Sequence, residues 1–97
     1  MEKWKQIAGF EKYEVSNAGR IRSIAGGGYF LTGSYDKGGR RRICLTDSND
    51  KRTTLMMHRL VAQAFLKNPN NLTIVKHRDG DYDNNEVSNL YWIRKTN

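Results

Sequence analysis

The stretch Leu72-Thr73-Ile74-Val75-Lys76-His77-Arg78-Asp79-Gly80-Asp81-Tyr82-Asp83-Asn84-Asn85-Glu86-Val87-Ser88-Asn89-Leu90-Tyr91-Trp92-Ile93 sets two short apolar runs on either side of a segment rich in carboxylates and amides. Leu72 to Val75 reads as a short strand, Arg78 to Asn85 as a polar loop, and Asn89 to Ile93 as a second strand. Asp and Asn side chains bond readily to nearby backbone, so Asp83-Asn84-Asn85 suits a compact loop. His77 stands between the first strand and the tight turn at Asp79-Gly80. An imidazole so placed can be held rigidly while facing solvent or substrate. It titrates near neutral pH, which suits removal of a proton from an attacking water. The alternating carboxylates Asp79, Asp81 and Asp83 resemble the start of a calcium loop. That loop requires glycine at its sixth position and glutamate at its twelfth, where this chain has Asn84 and Leu90, so the reading is set aside.

Upstream, the apolar period changes from that of a helix to that of strands. Met57, Leu60, Val61, Ala64 and Phe65 form one helical stripe, which Asn68-Pro69-Asn70-Asn71 ends. His58, at the start of that helix, is expected to cap it or to pack beside it. Tyr13 to Ser16 and Arg20 to Ile24 alternate around the turn Asn17-Ala18-Gly19, forming a hairpin that puts Arg20 and Arg22 on one face. Tyr29 to Thr32, Arg41 to Asp47 and Arg52 to Leu55 or Met56 are further strands. Gly26-Gly27-Gly28, Gly38-Gly39 and Ser48-Asn49-Asp50-Lys51 interrupt them. Within Arg41 to Asp47, Ile43 and Leu45 share a face opposite Arg42, Cys44 and Thr46. The class is α+β: antiparallel β hairpins first, then a helix, then strand, loop and strand.

The chain of 97 residues is long enough for one core and no more, and its formal charge of +7 bounds the class of partner. One cysteine, Cys44, excludes an internal disulfide, and one cysteine with two histidines cannot close a structural zinc site. No apolar run approaches the ~20 residues of a membrane span, and Met1-Glu2-Lys3-Trp4-Lys5 has no signal-peptide character. A cytoplasmic location without membrane contact is expected. Between Val15 and Arg78 there are twelve bases against three acids, interleaved with Tyr29, Phe30 and Tyr35. Such a belt fits a nucleic-acid surface. Its candidate DNA contacts are Arg20, Arg22, Arg40, Arg41, Arg42, Arg52, Arg59 and Arg78. Asp79, Asp81, Asp83 and Glu86 follow with no base among them, and need a separate explanation.

The segments His58-Arg59-Leu60-Val61-Ala62-Gln63-Ala64-Phe65-Leu66, Asn68-Pro69, His77-Arg78-Asp79-Gly80-Asp81, Asn84-Asn85 and Asn89-Leu90-Tyr91-Trp92 resemble the HNH endonuclease family in its homing-endonuclease branch. Upstream, Trp4, Ile7, Gly9-Phe10, Tyr13-Glu14-Val15-Ser16-Asn17 and Gly19-Arg20-Ile21-Arg22-Ser23 resemble the modular DNA-binding motif that commonly precedes that nuclease. The resemblance implies a β-rich DNA-binding motif over 1–52 and a ββα-metal nuclease motif over 53–97, joined in one compact unit. His77 then matches the general base. Asn89 matches the asparagine that ties the loop together and orients the histidine. One magnesium or manganese ion would stabilise the leaving oxygen, with Asp79 and, in a shifted register, Asn97 as candidate ligands. Two departures stand out. Lys76 occupies the position where many members carry a ligand, and its ammonium repels a cation. The family's final helix would begin about where Asn97 stands, so that helix is expected to be truncated.

The function implied is a DNA endonuclease, nicking DNA in the host cytoplasm if the chain is of phage type. A homodimer or a host protein partner is left open. The alternative is a catalytically impaired protein of the same fold that binds DNA or a host factor. Replacing Arg40, Arg41 and Arg42 together by alanine is expected to weaken DNA binding and flatten its salt dependence, because each lost phosphate contact removes about 0.9 from the log-log slope. Binding isotherms over a salt series check this, and an unchanged slope would move the DNA surface elsewhere.

Overall fold

Three hairpin turns of one kind fold the N-terminal half in the computed structural model, which describes residues 1–24 and 28–94. Ser16, Asp36 and Asp47 each donate a backbone N–H to the carbonyl four residues on, at Arg20, Arg40 and Lys51. Each also accepts two backbone N–H groups on one side-chain oxygen: Ser16 from Ala18 and Arg20, Asp36 from Gly38 and Arg40, Asp47 from Asn49 and Lys51. The residue before each closing position is left-handed, with φ of 85° at Gly19, 85° at Gly39 and 62° at Asp50. A short polar side chain followed three residues later by Gly or Asp therefore encodes each turn.

Strands β1 (Trp4–Ile7), β2 (Phe10–Ser16), β3 (Ile21–Ser23) and β4 (Phe30–Leu31) form an antiparallel sheet in that order. Strands β5 (Ser34–Tyr35), β6 (Arg41–Thr46) and β7 (Arg52–Met56) form a second antiparallel sheet. Helix α1 (Met57–Phe65) leaves β7 without a break, and β8 (Ile74–His77) pairs antiparallel with β9 (Leu90–Ile93). The division expected between residues 52 and 53 falls inside β7, which is bonded along its length to β6.

Several boundaries differ from the sequence expectation, each for a local reason. The run expected from Tyr29 to Thr32 is paired only at Phe30 and Leu31. Gly33, at φ 68°, then turns the chain into the second sheet, where the unforeseen β5 begins. A Cβ at Gly33 would lie 2.2 Å from the Arg42 carbonyl oxygen, so only glycine permits this crossing. β1 was also unforeseen, because a register shift between Gln6 and Ile7 breaks its alternation and turns Ile7 into the core. The strand expected over Leu72 to Val75 starts and ends two residues later. Both backbone groups of Leu72 are bonded to the Asn68 side chain, at 2.8 and 2.7 Å, so the ladder cannot open before Ile74. Val87–Asn89 forms a 3-10 turn, so the last strand opens at Leu90 and not at Asn89. The truncated final helix and Asn97 lie outside the described residues, as does most of Gly26-Gly27-Gly28.

One apolar cluster joins these elements. Ile7, Val15 and Ile21 of the first sheet meet Ile43 and Leu45 of the second, Leu60 and Val61 of α1, and Val75 and Leu90 of the last hairpin. Ile43 and Leu45 are buried while Arg42 and Cys44 are exposed, as the alternation requires. Met57, Leu60 and Val61 are buried and Ala64 and Phe65 half-buried, as the stripe requires. Among the described residues no helix is long and apolar enough to cross a membrane. Leu45 is fully buried where the second sheet meets the rest of the cluster. Leu45→Ala is therefore expected to cost about 2–5 kcal/mol, read as a lower urea midpoint with little change in slope.

Candidate active site

His77 is the last residue of β8 and pairs with Leu90. Alternation along β8 buries Val75 and His77 and exposes Lys76, so the ammonium of Lys76 projects from the opposite face. Of the two surroundings expected for the imidazole, solvent or substrate, open solvent is not the one found: the residue is only 9% exposed. Its ring lies between His58, with centroids 5.1 Å apart, and Tyr82, at 5.4 Å. This follows from the shifted strand, since continuing the ladder through His77 turns the ring inward. Nε2 of His77 is 2.8 Å from Oδ1 of Asn85. A carbonyl oxygen accepts and cannot donate, so the neutral ring carries its proton on Nε2 and keeps its basic lone pair on Nδ1.

The loop between β8 and β9 is organised around two side chains. Asn89 donates from Nδ2 to Oδ1 of Asp79 and to the Asn84 carbonyl, both at 2.9 Å, and its Oδ1 accepts the Asp79 backbone N–H at 3.1 Å. Asp79 also accepts from the Asn84 side chain at 2.9 Å and from the Asp81 backbone at 2.8 Å. The Asn84 bond, then those from Asp81 and Asn89, hold the Asp79 carboxyl below the usual carboxylate range. Asn89 thus ties the loop together, while the hydrogen bond to His77 comes from Asn85.

The basic residues divide into groups. The Arg40 guanidinium lies 4.7 Å from the centre of the Tyr82 ring, which puts Arg40, Tyr82, His77 and His58 in one column. Arg41 donates from Nε to Oδ1 of Asp83 at 2.9 Å, and Tyr35 donates its hydroxyl proton to Oδ2 at 2.9 Å, so the second sheet is fastened to the loop. A cleft of about 400 Å³ opens beside these groups, lined among others by Arg20, Phe30, Arg41 and Asn85. Arg20 and Arg22 lie over the Trp4 ring, at 5.6 and 4.0 Å, on the shared face expected of them. Their charges pair with Glu2 and Glu14. Arg42 and Arg52 are exposed on the second sheet, Arg59 donates to the Thr73 carbonyl, and Arg78 lies over Tyr91.

The described residues do not fit a divalent ion. Both oxygens of Asp79 hold N–H donors, Lys76 stands on the opposite face of β8, and no cluster of three or more His, Cys, Asp or Glu side chains converges among the described residues. Asn97 lies outside them.

Two residues at the site had no role assigned from sequence. Asn85 stood beside Asn84 with nothing to separate the two amides. His58 carried a readable signal, because His58, Val61, Ala62 and Phe65 fall at helical spacing, and three of them are buried.

The chain is similar in sequence and in fold to known proteins. Residues 2–46 match the NUMOD4 motif. Two proteins of Acanthamoeba polyphaga mimivirus, the uncharacterized HNH endonucleases L245 and L247, are 42% and 38% identical over 90 and 93 residues. The DNA endonuclease I-HmuI of Bacillus phage SP01 is 41% identical over 91 residues. A solved structure of I-HmuI, an HNH homing endonuclease described for DNA binding and cleavage, superposes on 95% of the chain with a TM-score of 0.83 and 40% identity. By sequence and by fold, the chain is a homologue of the HNH homing endonucleases. The chain spans 26% and 23% of the two mimivirus proteins, and 51% of I-HmuI.

Burial, then the nearby His77, Arg40 and Arg59, push the His58 imidazole down to about 4, against the opposing effect of Asp36. The unfolded chain binds this proton more readily than the folded one, so stability holds above pH 6.5 and falls as pH drops toward 4. After allowance for solvent screening the loss is about 2 kcal/mol. Urea midpoints at pH 7 and pH 4.5 check this, and His58→Asn should narrow the gap between them.

Proposed function

We propose that the chain carries the DNA-cleaving part of an HNH endonuclease and hydrolyses a DNA phosphodiester, producing nicks, with His77 as general base. The observation that carries this reading is the 2.8 Å contact of His77 Nε2 with the Asn85 side-chain oxygen. It commits one ring nitrogen to the protein and directs the basic one, Nδ1, to a water. Arg40, stacked on Tyr82 beside the imidazole, and Arg41, beside the cleft, supply positive charge for the phosphate. Asn89 acts on the loop and not on the ring, so its role is to hold Asp79 to Asn84 in the shape that presents Asn85.

The basic belt, the similarity to the DNA endonuclease I-HmuI and the shared fold support DNA as the substrate, reached in the host cytoplasm. HNH endonucleases generally use divalent metals, and magnesium or manganese belongs to this reading. The described residues alone do not assemble a site for such an ion. The N–H donors that occupy both Asp79 oxygens favour a second reading, a DNA-binding module of the same fold that does not cleave.

Nicking of supercoiled plasmid, with magnesium or manganese and with chelator, separates the two. Under the first reading His77→Ala lowers nicking by about 10²- to 10⁴-fold and leaves DNA affinity nearly unchanged, because a general base is not a phosphate anchor. Equal nicking by parent and variant removes His77 from the reaction. Salt-dependent DNA binding without nicking establishes the second reading.

A further inference from the structure

The turn between β2 and β3 touches the loop that holds His77. Gly19, at φ 85°, lies so close to Asn85 that a Cβ on it would stand 2.7 Å from the Asn85 carbonyl oxygen and 2.9 Å from its Cβ. Real Cβ atoms do not approach backbone that closely. The turn is seated by a second contact, in which Val87 donates its backbone N–H to the Asn17 carbonyl at 2.8 Å. Asn85 is only 5% exposed, and its side-chain oxygen accepts from His77. Backbone of the N-terminal motif therefore backs the amide that in turn holds the imidazole.

We propose that Gly19 is a positioning residue for His77: by admitting the Asn85 backbone where any side chain would expel it, the turn sets the Asn85 amide and so the tautomer of His77. This rests on His77 as the general base and adds that the NUMOD4 motif holds the base in register as well as offering a basic surface. A displacement of about 1 Å at a reacting group can cost 10²-fold in rate.

Gly9 provides a matched control. It has φ 84°, so alanine there meets the same left-handed strain, yet a Cβ on it has no neighbour within 4 Å. Long-range ¹⁵N–¹H spectra of the His77 ring report its tautomer directly. The parent and Gly9→Ala should show the proton on Nε2, and Gly19→Ala should show a mixture of both neutral forms. In plasmid nicking with manganese, Gly19→Ala should lose about 100-fold in kcat relative to Gly9→Ala with KM for DNA unchanged. Added to Asn85→Ala it should cause little further loss, because the two act on one contact. Ring spectra that are the same in Gly9→Ala and Gly19→Ala overturn the proposal. If the parent does not nick DNA, the assignment of His77 as base fails, while the ring spectra still decide the role of Gly19. Should Gly19→Ala not fold, amide exchange in the parent decides instead: a Val87 amide that exchanges as freely as that of exposed Arg94 means that the turn is not seated.

Discussion

Asn85 meets the His77 imidazole through its side-chain oxygen, at 2.8 Å, and sets its backbone carbonyl and Cβ against Gly19, which comes this near only because it has no side chain. Gly19 lies in the turn between β2 and β3, far from Asn85 along the chain, and His77 ends β8 on the other side of the loop that carries Asn85. What sets their distance is the apolar cluster in which Ile21, two residues after Gly19, and Leu90, the strand partner of His77, are both buried. Burial of such side chains is nondirectional. The hydrogen bonds at the Ser16 turn and the Asn85 loop convert it into a defined geometry.

The carboxylates that follow the basic belt find their explanation in the same loop. Asp79 gathers donors from Asp81, Asn84 and Asn89, Asp81 accepts the Asp83 backbone N–H at 3.0 Å, and Asp83 receives Arg41 and Tyr35. Their charges are thus matched by donors within the protein, and three of the four serve to shape the loop or fasten it to the second sheet. The two arginine groups differ in the same respect. Arg20 and Arg22 pair with Glu2 and Glu14 at the surface, where an ion pair adds little stability but keeps the guanidinium groups over Trp4 and Phe30. Arg40, in the turn that leads into β6, lies over Tyr82, whose ring is beside the imidazole.

Much of this architecture was legible in the chain because periodicity records burial. Ile43 and Leu45 alternating with Arg42 and Cys44, the stripe from Met57 to Val61, and the turn at Asn17-Ala18-Gly19 each depend on residues within one element, whose side-chain directions follow from local geometry. The segments around His77 and Asn89 were recognisable for the same reason, as a local pattern of residue types. Register and end points were not. β8 begins at Ile74 because the Asn68 side chain takes the backbone groups of Leu72, and the ladder then runs on through His77, whose ring is buried on the same face as Val75.

What the sequence by itself determined was therefore the set of elements, the apolar faces and the residue types available for chemistry. The tertiary structure decided which of two adjacent asparagines meets the imidazole, that His58 of α1 lies beside it, and that Gly19 backs the amide from another sheet. These contacts join residues that are separated along the chain by a helix, a loop or two sheets, and only packing of the shared core brings them within bonding distance.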